Sequence, residues 1–255
     1  MADPLEEAMA LLSVRAKQLF VSLTEEQVEL VRQYCAQLAD YNTHTNLVSD
    51  ASPEILVADH IVDSLTLVKF VDDFKRRKLP QAAIIALVDI GSGAGLPGLI
   101  LAIALPYLDV TLIESVGKKV RFLESFIETA GLNKRVRAVC ERAEVIAHQR
   151  QYRENFHAAT ARAVGAIELV AELAMPFLRV GGELYLQKSL SQLDEASRHA
   201  TRSLPKLGGA IIEATALDAR ILGKERAVLV AEKRTVTANQ YPRAWAQMKH
   251  RPLSQ

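Results

Sequence analysis

The sequence has only two cysteines, Cys35 and Cys140, among its 255 residues, and they lie far apart without a C-x-x-C pair. This spacing indicates neither a disulfide framework nor a cysteine zinc site, and no metal site is predicted. Glycine, at 12 residues, and proline, at 9, are too few for a collagen-like or low-complexity chain. A composition of 49% hydrophobic and 24% charged residues is instead typical of a globular protein.

The sequence also lacks an excess of charge of one sign, since 31 basic residues stand against 30 acidic ones. A chain this close to neutrality has no global field that draws it to nucleic acid or to a membrane, so such binding requires a local basic patch. No run of 18 apolar residues occurs, and Asp3, Glu6 and Glu7 stand where a signal peptide is basic and then apolar. We therefore expect a soluble, cytoplasmic protein that does not enter a membrane.

Residues 1–78 are predicted to form an N-terminal helical region. Thr24 and Gln27, three residues apart, form a capping box, and apolar residues then recur at helical spacing as far as Tyr41. A second helix start follows at Ser52, with proline at the first helical position. The charged run over residues 72–78, which a proline closes, is interpreted as a linker.

Short apolar runs alternate with amphipathic stretches over residues 79–233, the pattern of a parallel α/β domain. Strands are predicted at residues 84–90, 109–113, 136–140, 158–161, 182–187, 210–216 and 227–232. Helices are predicted between them, at roughly residues 97–105, 118–130, 165–178 and 192–203. The expected fold class is therefore α/β, with a doubly wound, mostly parallel seven-stranded sheet and an N-terminal helical extension. Residues 234–255 contain basic but no acidic side chains, and are interpreted as a basic C-terminal tail that is partly ordered at best.

The strongest chemical signal is the glycine-rich segment Val88-Asp89-Ile90-Gly91-Ser92-Gly93-Ala94-Gly95-Leu96-Pro97-Gly98 at the end of the first predicted strand. Glycines there let the backbone approach a ligand, and the helix that follows offers free N–H groups. A dinucleotide G-x-G-x-x-G fits only from Gly93, two residues too late. The pattern resembles instead the first motif of S-adenosylmethionine-dependent methyltransferases. With such a ligand, Asp89 can help to hold the ammonium of the methionyl group. A plain glycine-rich turn is the alternative.

Acidic residues at two further strand ends fit an adenosine ligand. Glu114 ends the second strand, where a carboxylate can accept both ribose hydroxyls in NAD and S-adenosylmethionine enzymes alike. Ala143 and Glu144 follow the third strand, where such folds contact adenine. The alternatives are an ordinary strand-end carboxylate for Glu114 and a solvated charge at a helix start for Glu144.

Several segments together resemble a single family. They are Tyr41-Asn42-x-x-x-Asn46-Leu47, His60-x-x-Asp63-Ser64, the glycine segment ending in Leu96-Pro97-Gly98, Glu114-Ser115-x-x-Lys118-Lys119-x-Arg121-Phe122-Leu123, and Arg162-Ala163. This set resembles the bacterial small-subunit rRNA methyltransferase G family, also called glucose-inhibited division protein B. The sequence departs from that family's pattern at Tyr41, where Trp is usual, at Val48, where Thr is common, and at Gln187-Lys188-Ser189, where Leu-Lys-Gly is common. These departures concern the RNA side rather than the cofactor loop.

The resemblance implies methylation of N7 of a guanosine in 16S rRNA, with S-adenosylmethionine as the cofactor. The implied partner is the small ribosomal subunit, its naked rRNA or an assembly intermediate, and we expect a monomer. The resemblance also implies cofactor contacts at Gly91, Leu96, Ala143, Glu144 and Arg162, to which the residue pattern itself adds Gly93 and Glu114.

The implied chemistry requires no general base, because N7 of guanine carries a lone pair and no proton. Placing the nucleophile in line with the methyl group can supply about 7–11 kcal/mol in well-oriented cases. We therefore nominate no catalytic base. Two other classes stay open: a methyltransferase acting on a small molecule or a protein, and a non-catalytic nucleotide-binding module.

Candidate RNA contacts come from three places in the sequence. His60, Asp63 and Ser64 share one helix face, and either a buried hydrogen-bond cluster or RNA contact explains them, as for Asn42 and Asn46. Cations dominate residues 117–142, where a solvated helix face is the alternative to phosphate contact. These cations are Lys118, Lys119, Arg121, Lys134, Arg135, Arg137 and Arg142. Lys188 and Arg162, each near the end of a predicted strand, are expected at the mouth of the site.

Overall fold

The computed structural model describes residues 3–81, 83–162 and 164–254, with a twisted seven-stranded sheet at its centre. The strands are β1 (Ile85–Ile90), β2 (Leu108–Glu114), β3 (Val136–Cys140), β4 (Phe156–Ala161), β5 (Leu178–Ser189), β6 (Gly209–Ala216) and β7 (Arg226–Lys233). Each predicted strand is present. The predicted α/β class with a doubly wound, mostly parallel sheet is confirmed.

The strand order across the sheet is β3-β2-β1-β4-β5-β7-β6. The first five strands in this order, from β3 through β2, β1 and β4 to β5, are parallel. Strand β7 is antiparallel to both β5 and β6. The chain changes its winding direction between β1 and β4, and ligands of doubly wound folds bind at the carboxyl ends of the strands at such a point. At this edge Ile90 pairs with Ala161, and Glu114 pairs with Cys140 on the far side of β2.

Helices cover both faces of the sheet. Those before the sheet are α1 (Pro4–Gln18), α2 (Glu25–Asn42), α3 (Pro53–Ile55), α4 (Val62–Leu65) and α5 (Val68–Lys78), with a π-helical stretch at Leu56–Ile61. Those that follow are α6 (Gly98–Ala104), α7 (Gly117–Thr129), α8 (Ala143–Ile146), α9 (Ile167–Ala174), α10 (Leu193–Ser203), α11 (Ala219–Leu222) and α12 (Trp245–His250). None of the helices in the described ranges has the length and hydropathy to cross a membrane.

The apolar residues form two cores, one on each face of the sheet. The N-terminal helices share one core with α6 and α7, and Cys35 of α2 is buried in it. Helices α9 and α10 share the other core with Met248 and Leu253 from the last stretch of the chain. Because both faces are covered, β1 and β4 are buried along almost their whole length.

The N-terminal helices also hold the segment that follows β1. The capping box at the start of α2 is confirmed, with Gln27 Oε1 accepting from the Thr24 N–H at 2.8 Å. The amide of the same Gln27 donates to the carbonyls of Ile103 and Ala104, which end α6. The hydroxyl of the fully buried Tyr34 donates to the Ala94 carbonyl at 2.9 Å. The helical extension is therefore a support for the glycine segment.

The structure corrects the interpretation of residues 72–78 as a linker, since they complete α5. Phe74 packs into the core while the charged residues around it lie at the surface. Two of these charges bind the sheet: Arg77 donates to Glu183 at 2.9 Å, and Lys78 donates to Glu232 at 2.8 Å. A run of charge with a single apolar residue therefore forms the last turns of an amphipathic helix.

The prediction of a partly ordered tail is also wrong, because residues 234–254 pack against the second core. Arg243 donates to the buried carboxylate of Glu172 from its backbone N–H, Nε and Nη2, at 2.9, 2.7 and 2.6 Å. Arg153 donates to the carbonyls of Thr237 and Tyr241. One of the basic residues of this segment, Arg243, therefore pairs specifically with the α/β domain, and the segment is part of the folded structure.

Candidate functional site

The glycine segment forms an open turn between β1 and α6. Gly93 has a φ of +57°, and a Cβ placed there would meet only the Gly91 carbonyl oxygen, at 3.9 Å. Gly98 serves a different purpose, since its Cβ would lie 2.7 Å from the Cβ of Asp89. The turn therefore leaves free space beside Gly93, as a ligand cradle requires, and uses Gly98 for close packing of helix on strand.

Glu114 faces this turn from the end of β2. Its Oε2 accepts a hydrogen bond from the Gly93 N–H at 3.0 Å, and its Oε1 accepts one from the Val116 N–H at 2.8 Å. The predicted neighbourhood of Glu114 and the glycine turn is thus present. The role of this carboxylate as a ribose contact stays a prediction.

Asp89 does not face the open side of the turn. Its side chain is fully buried, with Oδ2 accepting from the Gly98 N–H at 3.0 Å and Oδ1 accepting from the Thr160 hydroxyl at 2.9 Å. Burial raises the pKa of Asp89 to about 6, although these hydrogen bonds oppose the shift. The structure places this carboxylate behind the turn, in contact with the protein rather than with the space for an ammonium.

Leu96, Ala143 and Glu144 lie around the same edge. Leu96 is buried in the first core, so its side chain shapes the turn from behind. Ala143 begins α8, and Glu144 Oε1 accepts from Arg142 Nε at 2.6 Å. Trp245 of α12 lies against that arginine, with 5.4 Å between the guanidinium carbon and the ring centroid. The C-terminal segment thereby supports the part of the site predicted to contact adenine.

Arg162 follows β4 and sits in a polar cluster with two residues of the N-terminal region. Its Nη2 lies 3.2 Å from His60 Nδ1, and its Nη1 lies 3.7 Å from Asp63 Oδ2. Arg226 approaches the other oxygen of Asp63, with its Nε at 3.5 Å. Burial, followed by the charges of Arg162 and Lys224, lowers the pKa of His60 to about 4. At neutral pH this histidine is uncharged.

This cluster lines an open pocket of about 910 Å³. None of the described residues in the pocket wall belongs to the glycine turn, but Val164, the neighbour of the lining residue Gly165, reaches the turn: its Cγ2 lies 2.8 Å from where a Cβ of Gly91 would be. The polar residues of the pocket wall include Asp59, His60, Asp63, Arg162, Glu168, Gln187, Lys188, Lys224 and Arg226. Burial lowers the pKa of Lys188, whose Nζ is 3.4 Å from the Gly165 carbonyl oxygen. A volume of this size accommodates one nucleotide.

Other predicted substrate residues are held by the protein itself. Asn42 Oδ1 accepts from the N–H groups of Leu47 and Val48, and its amide donates to the Val48 carbonyl. Ser64 is fully buried and donates to the His60 carbonyl at 2.7 Å. Asn46 is exposed in the loop that Asn42 closes. Of these three, the structure presents only Asn46 at the surface.

The cations of residues 117–142 fall into two groups. Arg135 donates to the Ala102 carbonyl, Arg137 pairs with Asp109, and Arg142 pairs with Glu144. Lys118 and Arg121 are exposed on α7 and Lys119 is half-buried there, and no ion pair involves these three within the described ranges. The candidate phosphate-binding surface therefore narrows to the start of α7 and the exposed Lys134.

Sequence reasoning missed several residues of the pocket. Arg226 begins β7, whose antiparallel pairing places it opposite Ser189 at the end of β5, and Lys224 lies just before that strand. Gln187 donates to the Asp63 carbonyl and to the Thr66 hydroxyl, which ties β5 to α4. No local motif marks Lys224 or Arg226, and Gln187 was noted in the sequence only as a departure from the family's Leu-Lys-Gly segment. Across the described ranges there is no cluster of three or more His, Cys, Asp or Glu side chains that could hold a metal ion.

Structural comparison agrees with this architecture. The chain is similar to a solved protein from Corynebacterium glutamicum, with a TM-score of 0.53 and 18% identity over 89% of this chain and 98% of that one. It is also similar to the [4+2]-cyclase SpnF, with a TM-score of 0.50 and 16% identity over 84% of this chain and 98% of that one. At such identities the likeness concerns the fold alone.

Sequence comparison is more specific. The family model described as rRNA small subunit methyltransferase G matches residues 27–209. Proteins named ribosomal RNA small subunit methyltransferase G are 34% identical in Leuconostoc citreum, over 92% of this chain and 94% of that one, and 37% identical in Roseiflexus sp., over 91% and 94%. The resemblance drawn from the motifs is confirmed, and the chain belongs to the rRNA small subunit methyltransferase G family.

Proposed function

We propose that this protein is an S-adenosylmethionine-dependent methyltransferase that methylates N7 of a guanosine in the 16S rRNA of the small ribosomal subunit. The observation that carries the proposal is that the pocket and the open glycine turn lie at the carboxyl end of the same sheet, with Arg162 of the pocket wall following β4. Ile90 and Ala161 pair at the end of β1 and β4, so the turn and Arg162 leave adjacent strand ends. A methyl donor held at the turn would then face the nucleobase in the pocket that accepts the methyl group.

The cofactor is assigned to the turn and the strand ends around it. The space beside Gly93 is a cradle that a side chain would fill, and Glu114 offers two carboxylate oxygens for the ribose hydroxyls. Ala143 and Glu144 flank the adenine, Gly91 and Leu96 shape the turn, and Arg162 stands between cofactor and target. The bound cofactor supplies a methyl group on a sulfonium ion.

The residues of this chain act by placement. A bond forms between N7 and the methyl carbon as the carbon–sulfur bond breaks, and the electron pair of that bond stays on sulfur. No proton leaves the guanine in this step. The reaction therefore needs no catalytic base, and we nominate none. The pocket would hold the base, and the turn with Glu114 would hold the cofactor, whose methyl group reacts fastest when it lies in line with N7.

The RNA side is assigned to the pocket and to the exposed start of α7. His60, Asp63, Arg162 and Lys188 line the pocket, while Lys118, Lys119 and Arg121 contact phosphates outside it. Asn46 is retained as a contact, whereas Asn42 and Ser64 keep the loop and helix in place. Since the proposed substrate is ribosomal, we propose that the protein works in the cytoplasm, as a monomer.

The decisive experiment is transfer of labelled methyl from S-adenosylmethionine to purified 30S subunits, to deproteinised 16S rRNA and to 50S subunits. We expect a single 7-methylguanosine in 16S rRNA. Comparison of the label in 30S subunits with that in deproteinised 16S rRNA shows which of the two forms the protein prefers. The matched control is Gly93→Val, in which the cradle is filled. Labelling of 50S subunits alone, or of proteins or small molecules in place of RNA, would contradict the proposal.

A further inference from the structure

The hydrogen-bonding state of His60 follows from its neighbour. Arg162 Nη2 lies 3.2 Å from His60 Nδ1. A guanidinium carries donors only and keeps its proton in proteins, so Nδ1 accepts this hydrogen bond. A neutral imidazole has one acceptor and one donor nitrogen. The proton of His60 therefore lies on Nε2.

Charged groups on every side keep this arrangement in place. Asp63 holds Arg162 from the other side at 3.7 Å, and Arg226 in turn approaches Asp63 at 3.5 Å. Burial, Arg162 and Lys224 lower the pKa of His60 to about 4, against the opposing charges of Asp59 and Asp50. The ring is thus neutral, with one tautomer, at neutral pH.

The residue that carries this second ring nitrogen is part of the pocket wall. His60 lines the pocket, and its Nε2 makes no hydrogen bond within residues 3–81, 83–162 and 164–254. The residue lies in the π-helical stretch Leu56–Ile61, and π-helical turns inside helices occur frequently at functional sites. A fixed N–H donor on a pocket wall selects for an acceptor atom on the molecule inside.

We infer that the Nε2–H of His60 donates to O6 of the target guanine and selects guanine over adenine, and that Arg162 is the positioning residue that fixes this tautomer. The inference rests on the proposed function. Guanine presents O6 and N7 side by side as acceptors, whereas adenine presents an amino donor in place of O6. Two donors facing each other leave both unpaired, which corresponds to about 10- to 100-fold in discrimination.

The test compares two bases at the methylated position, once that position has been mapped in 16S rRNA. Guanine and 2,6-diaminopurine both carry N7 and the 2-amino group, but 2,6-diaminopurine presents an amino donor in place of O6. We expect wild-type kcat/KM to be about 10- to 100-fold higher for guanine. In His60→Ala the preference should fall to within about threefold. Equal rates in the wild type, or an undiminished preference in His60→Ala, would overturn the inference.

The role of Arg162 has its own readout in nitrogen NMR of the free protein. Wild-type His60 should show an unprotonated Nδ1 and a protonated Nε2. Arg162→Ala should mix the tautomers and raise the pKa of His60 towards its ordinary value, and Arg162→Lys should restore the wild-type tautomer. The control is Arg179→Ala, which removes a guanidinium 2.7 Å from His157. His157 lies near the start of β4, whereas Arg162 follows the end of that strand. The Arg179→Ala variant should change neither the His60 spectrum nor the base preference.

These outcomes separate the inference from the function on which it rests. If the wild-type protein methylates no RNA, the proposed function and the base selection both fail. If it methylates 16S rRNA but shows no dependence on O6, or if the NMR spectrum places the His60 proton on Nδ1, only the inference fails.

Discussion

Asp89 Oδ2 accepts a hydrogen bond from the backbone N–H of Gly98 at 3.0 Å, which fixes the first turn of α6 to the end of β1. The carboxylate is fully buried, and burial raises its pKa from the ordinary value of 3.8 to about 6. Between these two values the folded protein binds the proton more tightly than the unfolded chain does. The contribution of this group to stability is therefore highest below pH 4 and declines as the pH rises to 6.

The first prediction follows from this pKa. Asp89→Asn removes the titration, so the free energy of unfolding of the wild type relative to the variant should fall by about 3 kcal/mol from pH 4 to pH 7, at about 1.4 kcal/mol per pKa unit. Urea unfolding of both proteins across this range measures the difference. A difference that stays constant with pH, or that grows as the pH rises, would contradict the prediction.

The second prediction concerns the space beside Gly93. Gly93→Ala should abolish binding of S-adenosylmethionine in calorimetry because its methyl group occupies the cradle. The matched control is Gly131→Ala: Gly131 has a φ of +66°, close to the +57° of Gly93, and open space around it. Both variants should lose about 1–2 kcal/mol of stability from the positive φ. Equal loss of binding in both, or full affinity in Gly93→Ala, would remove the cradle from the site.

The third prediction concerns the attachment of the C-terminal segment. Arg243→Gln leaves the buried carboxylate of Glu172 without its charged partner, and should cost about 3–5 kcal/mol in the free energy of unfolding. Arg234→Gln is the control, since Arg234 is mostly exposed and lies 3.7 Å from Glu232. It should cost less than about 1 kcal/mol. Similar losses for the two variants would show that the segment is not held by this pair.

The fourth prediction concerns the start of α7. If Lys118, Lys119 and Arg121 bind phosphates, neutralising all three should lower the slope of log affinity against log salt by about 0.7–0.9 for each phosphate that is no longer bound. All RNAs should be weakened alike. Arg137→Gln is the control because its guanidinium already pairs with Asp109 at 2.9 Å. An unchanged slope in the triple variant would place the RNA surface elsewhere.

Apolar periodicity was sufficient to predict the sheet because its central strands are buried on both faces and read as short apolar runs. It failed for α5, where Phe74 is the single apolar residue among the charges of 72–78. It also failed for the C-terminal segment, which is held by the pairing of Arg243 with Glu172, 71 residues earlier in the chain. Contacts between distant residues leave no local pattern.

The site, too, was predictable from the sequence only in part. The glycine turn and Glu114 could be placed together in advance, because the carboxyl ends of parallel strands share one edge. The joining of His60 and Asp63 to Arg162 depends on how the N-terminal helices dock, which the spacing of residues does not specify. Lys224 and Arg226 reach the pocket through the antiparallel register of β7 on β5. That register is set by strand pairing far from any motif.

Strand pairing places Cys140 opposite Glu114, so Cys140 is a suitable attachment point for a spectroscopic probe near the site. Cys140 is exposed, whereas Cys35 is buried and burial raises its pKa to about 12. Because the thiolate is the reactive form, a maleimide dye should modify Cys140 and spare Cys35. The dye would then stand one strand away from the proposed ribose contact. Cofactor binding would be followed by fluorescence in the natural sequence, with no engineered residue.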